Sequence, residues 1–140
     1  MRSVALILVF LLAASTFITI EDRGDAPACA APAKSLAEIQ LLFGASRKDA
    51  PPVSDAEWAT FLADEVTPRF PDGLTVLTGS GQWRDSQGVL IQETSRLLLI
   101  WYEPQTDSNE QIEMIRSAYK TRFGPESVLR ADGAKTCVSF

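Results

Sequence analysis

The residues best suited to chemistry gather in and around one stretch, Thr67–Arg84 (TPRFPDGLTVLTGSGQWR). Arg69 and Arg84 carry guanidinium forks, which recognise a carboxylate or another small anion through paired hydrogen bonds. Glu65 or Asp72 would then act as acid or base. Gln82 and Trp83 complete this candidate ligand site, and Glu93 and Arg96 stand further along the chain. The same residues have a plainer reading. Arg69 and Asp72 tie down a turn, Trp83 packs in the core and Arg84 stays on the surface, because structural ion pairs also gather at turns. Trp101 and Tyr102 divide in the same way, between a core or dimer interface and a ligand-stacking platform.

Several chemistries are excluded. The chain has no histidine, which removes Ser-His-Asp and Cys-His catalysis, His-ligated metal sites and the commonest general base. Its two cysteines, Cys29 and Cys137, are too far apart for a Cys-x-x-Cys motif. Gly79-Ser80-Gly81 does not make a dinucleotide fingerprint: Arg84 holds the third glycine position, and a hairpin follows instead of a helix. Asp85-Ser86-Gln87-Gly88 lacks the repeated oxygen ligands of a calcium loop. No metal and no cofactor is expected, and any enzyme built here would be metal-free. A net charge of −5 with scattered basic residues offers no footprint for a phosphate backbone, so nucleic acid is not an expected partner.

The elements that must position these residues are legible from periodicity. Ala37–Phe43 alternates, with Ile39, Leu41 and Phe43 on one side, as a strand with one buried face does. Gly44–Val53 is a polar loop containing Pro51-Pro52. Ser54-Asp55-Ala56-Glu57 is a capping box. It opens a helix over Asp55–Glu65 whose apolar stripe is Trp58, Phe61, Leu62 and Val66, and Pro68 stops it. After the Asp72-Gly73 turn, Leu74–Trp83 reads as a strand. Its glycines at 79 and 81 mark a bulge or a close approach. Asp85–Gly88 is a hairpin loop, and Val89–Tyr102 returns as one strand or two. Leu97–Tyr102 is apolar on both parities, as a central strand covered on both faces would be. A second capping box, Ser108-Asn109-Glu110-Gln111, starts a helix with the stripe Ile112, Ile115, Ala118, Tyr119 and Phe123, and Gly124-Pro125 ends it. Ser127–Ala131 and Thr136–Phe140 are short strands around an Asp132-Gly133 turn. The order β-α-β-β-α-β is the split βαβ plan of ferredoxin-like folds: an α+β antiparallel sheet with two helices on one face. The other face must then carry the second parity of Leu97–Tyr102 together with Leu42, and something should cover it.

The chain is 140 residues long, room for one domain, placed at 31–140. Residues 1–30 form a leader or anchor plus tether: Arg2, the apolar run Val4–Ile20, the charged EDRGD segment and the alanine-rich APACAAPA. That order is the pattern of a secretory signal. The run also reaches the lower limit for spanning a bilayer, so an uncleaved anchor over residues 4–20 stands beside cleavage. Cys29 is a poor match to a lipid-attachment site. Each version puts the domain outside the cytoplasm, periplasmic or extracellular, with membrane contact only through the N-terminal segment. In an oxidising compartment Cys29 and Cys137 are expected to pair. That bridge would close a loop of about 109 residues and add about 4–5 kcal/mol. Cleavage after Ala28 keeps Cys29, whereas cleavage after Ala30 discards it.

Leu41-Leu42-Phe43-Gly44, VSDAEWATF at Val53–Phe61, EVTPRFPDGLTVL at Glu65–Leu77, GQWRD at Gly81–Asp85, RFGPESVLR at Arg122–Arg130 and the closing Cys137–Phe140 (CVSF) together resemble the exported bacterial family of domain of unknown function 3574. The resemblance runs from about Cys29 to Phe140. It implies a leader, an early cysteine retained in the mature chain and its pairing with Cys137; it implies no activity. Two functions therefore stand at the level of sequence. One is a structural or interaction protein whose open sheet face makes a homodimer or another protein contact. The other is a binder of a small anionic ligand, or an enzyme, with its site around Arg69 and Arg84.

Overall fold

A computed structural model describes residues 28–140; the leader or anchor expected over the preceding residues lies outside them. The strands are β1 (Lys34–Gly44), β2 (Thr75–Arg84), β3 (Leu90–Tyr102), β4 (Leu129–Asp132) and β5 (Thr136–Val138), and the helices are α1 (Asp55–Phe61) and α2 (Ser108–Phe123). The sheet order is β2-β3-β1-β4, with β5 also on β1 and every pairing antiparallel. This is the ferredoxin-like plan, with β1 and β3 central and α1 carrying the chain across to the far edge. Among the described residues no helix is long and apolar enough to cross a membrane.

The core lies between the sheet and the helices. Ile39, Leu41 and Phe43 alternate into it from β1, and Leu98 and Ile100 from β3, each at most 1% exposed. Phe43 is its hub, with ring centroids 5.0 Å from Trp58, 5.8 Å from Phe61 and 4.7 Å from Tyr119. The Tyr119 hydroxyl donates to the Gly44 carbonyl at 2.9 Å, which fixes α2 to the end of β1. Burial pushes the Tyr119 hydroxyl up to about 12. Arg96 is the one buried charged residue on this side among the described residues. It reaches the Asp55 carboxylate at 2.8 Å and the Val53 carbonyl at 3.1 Å, and lies 5.4 Å over the Trp58 ring.

The first capping box forms as expected: the Ser54 hydroxyl accepts from the Glu57 amide at 3.3 Å, and Glu57 accepts from the Ser54 amide at 2.9 Å. Past Phe61 the helix widens into a single π-type turn over Leu62–Val66, where the Thr67 amide reaches the Leu62 carbonyl at 2.9 Å. The second capping box does not form. Ser108 is already helical, and its hydroxyl accepts from the Gln105 amide at 2.8 Å in the preceding turn. Asp107 takes the cap position without a side-chain bond to the backbone. Gly124 ends α2 in the left-handed region, at φ 78°, where glycine carries no Cβ penalty.

Two further expectations change. Lys34–Leu36, ahead of the strand expected at Ala37–Phe43, is strand because β5 pairs with it across Lys34↔Val138, Ser35↔Cys137 and Leu36↔Thr136. Beside that pairing Cys29 and Cys137 are joined by a disulfide, with Cα atoms 5.5 Å apart. β2 and β3 pair without interruption from Thr75↔Leu99 to Arg84↔Leu90, so neither Gly79 nor Gly81 marks a bulge and β3 is one strand.

Candidate functional site

The open face of the sheet carries the residues of the opposite parity. Register places Leu77 beside Leu97, Leu97 beside Leu42, and Leu42 beside Leu129. One row of leucines thus crosses four strands. More than half of Leu77 and of Leu129 is exposed. The next row toward the β2–β3 hairpin holds Gly79, Ser95 and Gly44. Beyond it Gly81 faces Glu93, and Trp83 faces Ile91. Small residues after a bulky row leave a depression in the sheet surface.

Loops raise walls around that depression and make a cavity of about 610 Å³, within the size range of small-molecule sites. Its floor includes Leu42, Gly44, Gly81 and Ile91; Arg47 and Lys48 line one side, and Pro125 and Glu126 another. The hairpin tip closes toward the α2–β4 loop, where the Ser86 amide and hydroxyl donate to the Glu126 carboxylate at 3.3 and 3.1 Å. The tip is itself fixed, because one Asp85 carboxylate oxygen accepts from the Gln87 and Val89 amides at 2.9 and 2.7 Å.

Glu93 is the polar centre. The Trp83 indole N–H donates to its Oε1 at 2.5 Å, and the Ser46 amide donates to its Oε2 at 2.7 Å. These bonds come from the diagonal neighbour on β2 and from the loop after β1, so two elements aim one carboxylate. Gly44 makes room for it: a Cβ there would fall on the Glu93 carboxylate. Gly81 similarly makes room for Ser95, whose hydroxyl a Cβ would strike. At Gly79 a Cβ would meet nothing within 4 Å, and nothing in the structure explains that glycine. Arg47 is engaged at the cavity edge, 2.6 Å from Glu57 and 4.9 Å over the Phe123 ring. Its guanidinium and the Ser54 groups hold the Glu57 carboxyl down at about 2.

The residues expected to form a site from sequence are divided by the fold. Arg69 and Asp72 line a separate, smaller cavity of about 400 Å³ between the α1–β2 turn and the start of α2, with Trp101 and Tyr102. Arg69 is used locally, donating to the Glu65 carbonyl and to its carboxylate at 2.5 and 3.0 Å. Arg84 ends β2 at the opposite extremity and donates to the Gly88 carbonyl at 2.6 Å. A ten-residue strand lies between the two arginines, and they do not converge. Gln82 and Trp83 line the larger cavity, and Gln82 accepts from Gln92 at 3.4 Å. Trp83 is half-buried on the open face, outside the core. Trp101 is 41% exposed, whereas Tyr102 stacks edge-on against Phe70 at 5.3 Å. Reading the sequence identified Trp83 and named Glu93, but it missed Gly44 and Ser46. The available signal was Gly44 at a strand end of otherwise bulky alternation. Among the described residues no group of three or more Asp, Glu or Cys side chains could hold a metal ion.

Known proteins add the fold and the family. The chain is similar to a phage SAM lyase solved in complex with S-methyl-5'-thioadenosine, with a TM-score of 0.60 and 13% identity over 75% of this chain and 90% of that one. A phage SAM lyase in its apo state gives a TM-score of 0.55, also at 13% identity, over 76% of this chain and 90% of that one. At that identity the likeness shows a shared fold. No curated protein matches the chain. A family model matches residues 38–140, most of the folded region just described, and the chain belongs to the family of proteins of unknown function DUF3574.

Proposed function

We propose that the domain binds a small organic molecule in the sheet-face cavity. The observation that carries this reading is Glu93: a carboxylate fixed by two donors from separate elements, above a glycine that leaves it room, inside a cavity of about 610 Å³. Rigidly aimed polar groups against an apolar floor are what ligand sites use to orient their ligands. A small anion held between Arg69 and Arg84 has no shared cavity to occupy, so the reading moves along β2 to Trp83 and across to Glu93. The phage lyase is solved with a small molecule on the same fold; this supports the reading by analogy of architecture only. A library of polar and aromatic metabolites, screened against the indole N–H resonances of the protein's three tryptophans, tests it. A ligand that moves the Trp83 signal and leaves buried Trp58 unmoved is the expected result. A library without such a ligand counts against the site.

The leucine row favours a second reading, contact with another copy of the chain. About a two-fold axis parallel to the strands, Leu77 would face Leu129 and Leu97 would face Leu42, a self-complementary arrangement of the kind isologous dimers need. Light scattering of the domain and of Leu97→Asp decides it: a dimer that the aspartate makes monomeric supports the contact, and a parent that is already monomeric removes it.

The same proposal places the domain outside the cytoplasm. The disulfide Cys29–Cys137 suits an oxidising compartment, and the apolar run Val4–Ile20 suits export. Intact mass of the protein from the fractionated host checks both points together. Recovery in the cytoplasmic fraction with reduced cysteines would argue against export.

A further inference from the structure

Resting on the reading of the sheet-face cavity as a binding site, we infer that its ligand is an organic cation: an amine or quaternary ammonium seated against Glu93, carried on a flat apolar body that lies along Leu42, Ile91 and Leu129. Partly buried carboxylates elsewhere meet a guanidinium, as Glu65 meets Arg69 at 3.0 Å and Glu57 meets Arg47 at 2.6 Å, or accept only from donors within four residues, as Glu38 and Asp85 do. Glu93 is also partly buried, yet among the described residues it forms no ion pair. Its two donors are neutral N–H groups of Trp83 and Ser46, 10 and 47 residues away, that orient the carboxylate. An ionised carboxylate has about four lone-pair sites, so two remain for a ligand. Arg47, the guanidinium that lines the cavity, pairs with Glu57 at 2.6 Å while its Nε has no hydrogen-bond partner, and Lys48 sits exposed at the rim.

The leucine row ends at the cavity floor, and Gly44 and Gly81 lower the sheet surface beside it. A flat apolar group can therefore lie over the strands while its charged end reaches the carboxylate. The Trp83 indole, bonded to that same carboxylate, adds an aromatic surface of the kind that attracts cations. An anionic ligand would place like charge against Glu93, and a neutral one would leave the carboxylate without a counter-charge.

Calorimetry with three matched indoles separates these cases: tryptamine, 3-ethylindole and indole-3-propionate, titrated into the full domain and into Glu93→Gln. Tryptamine is expected to bind about tenfold or more tighter than 3-ethylindole, with indole-3-propionate weakest, since hydrogen bonds between ionised partners are about twice as strong as neutral ones. Glu93→Gln is expected to reduce the tryptamine affinity to that of 3-ethylindole and to leave 3-ethylindole itself unchanged, a control that also reports an intact cavity. Equal binding of tryptamine and 3-ethylindole to the parent overturns the cation assignment and leaves the cavity reading standing. An unchanged tryptamine affinity in Glu93→Gln overturns the assignment to Glu93. Binding of none of the three overturns the cation assignment, and the cavity reading falls with it only if the broad library is also blank. Should Glu93→Gln fail to fold, the affinity ratio measured on the parent decides alone.

Discussion

The Tyr119 hydroxyl joins helix to sheet through one bond to the carbonyl of Gly44, the same glycine that makes room for Glu93. Tyr119→Phe keeps the ring in the Phe43 cluster and leaves that carbonyl short of a partner. Unfolding in urea should therefore show a loss of about 1–2 kcal/mol, the cost of an unmade buried hydrogen bond. Glu57 makes the acid limb measurable. Its ordinary value is 4.5, and in the folded chain the Arg47 guanidinium and the Ser54 groups hold it at about 2. Between those values the unfolded chain binds more protons than the folded one, so the stabilisation is fully present above 4.5 and is lost as pH falls through about 2. Glu57→Gln should flatten the rise of the urea midpoint between pH 2 and 4.5; an unchanged slope would show that other carboxylates dominate it. At this scale the sequence exposed Trp83 as unusual but not its partner. Ser46 and Glu93 are 47 residues apart, and no local pattern ties a polar loop residue to a carboxylate on a strand that distant.

Elements follow local rules more closely. Alternation in β1 and the box at Ser54 appear where residue chemistry puts them, because each depends on neighbours within one turn or one pleat. The winding ends at Val66, but Thr67 before Pro68 keeps a right-handed helical backbone at φ −56° and ψ −40°, and the Phe70 amide still reaches the Val66 carbonyl at 2.9 Å. The box at Ser108 fails for an equally local reason: the Gln105 amide occupies its hydroxyl one turn earlier. The glycines differ, since their meaning lies on the facing strand. Gly44 lies diagonally across from Glu93, and Gly81 leaves room for Ser95. A double-mutant cycle isolates the first. Gly44→Ala alone should destabilise, because its Cβ displaces the Glu93 carboxylate from Trp83 and Ser46. In the Glu93→Ala background the same change should be neutral or stabilising by about 0.4–1 kcal/mol, the gain from a less flexible unfolded chain. Equal effects in both backgrounds would show that Gly44 is not kept for Glu93.

At the scale of the molecule, β5 and the disulfide secure the two ends of the described chain along one edge of β1. The bridge spans 108 positions, so its removal should cost about 4–5 kcal/mol in the chain-entropy picture, a large part of the 5–15 kcal/mol typical of a whole domain. Thermal melts with and without reductant check this, and Cys137→Ser should reproduce the reduced curve. A melt that does not respond would show that β5 holds without the bridge. The open face carries the leucine row and the Glu93 cavity side by side, so the proposed partner contact and the proposed ligand would compete for adjoining surface. By itself the sequence determined the order of elements, the ferredoxin-like plan and the apolar surplus on the second face of β3, because periodicity, caps and turn residues act through near neighbours. Only the tertiary structure decided that Arg69 and Arg84 stand at opposite ends of β2, that Lys34–Leu36 is strand, and that Trp83, Ser46 and Gly44 converge on Glu93. Those facts depend on which strands pair and in which register, and register is set by the burial of one whole face against the helices, a condition that no short stretch of sequence contains.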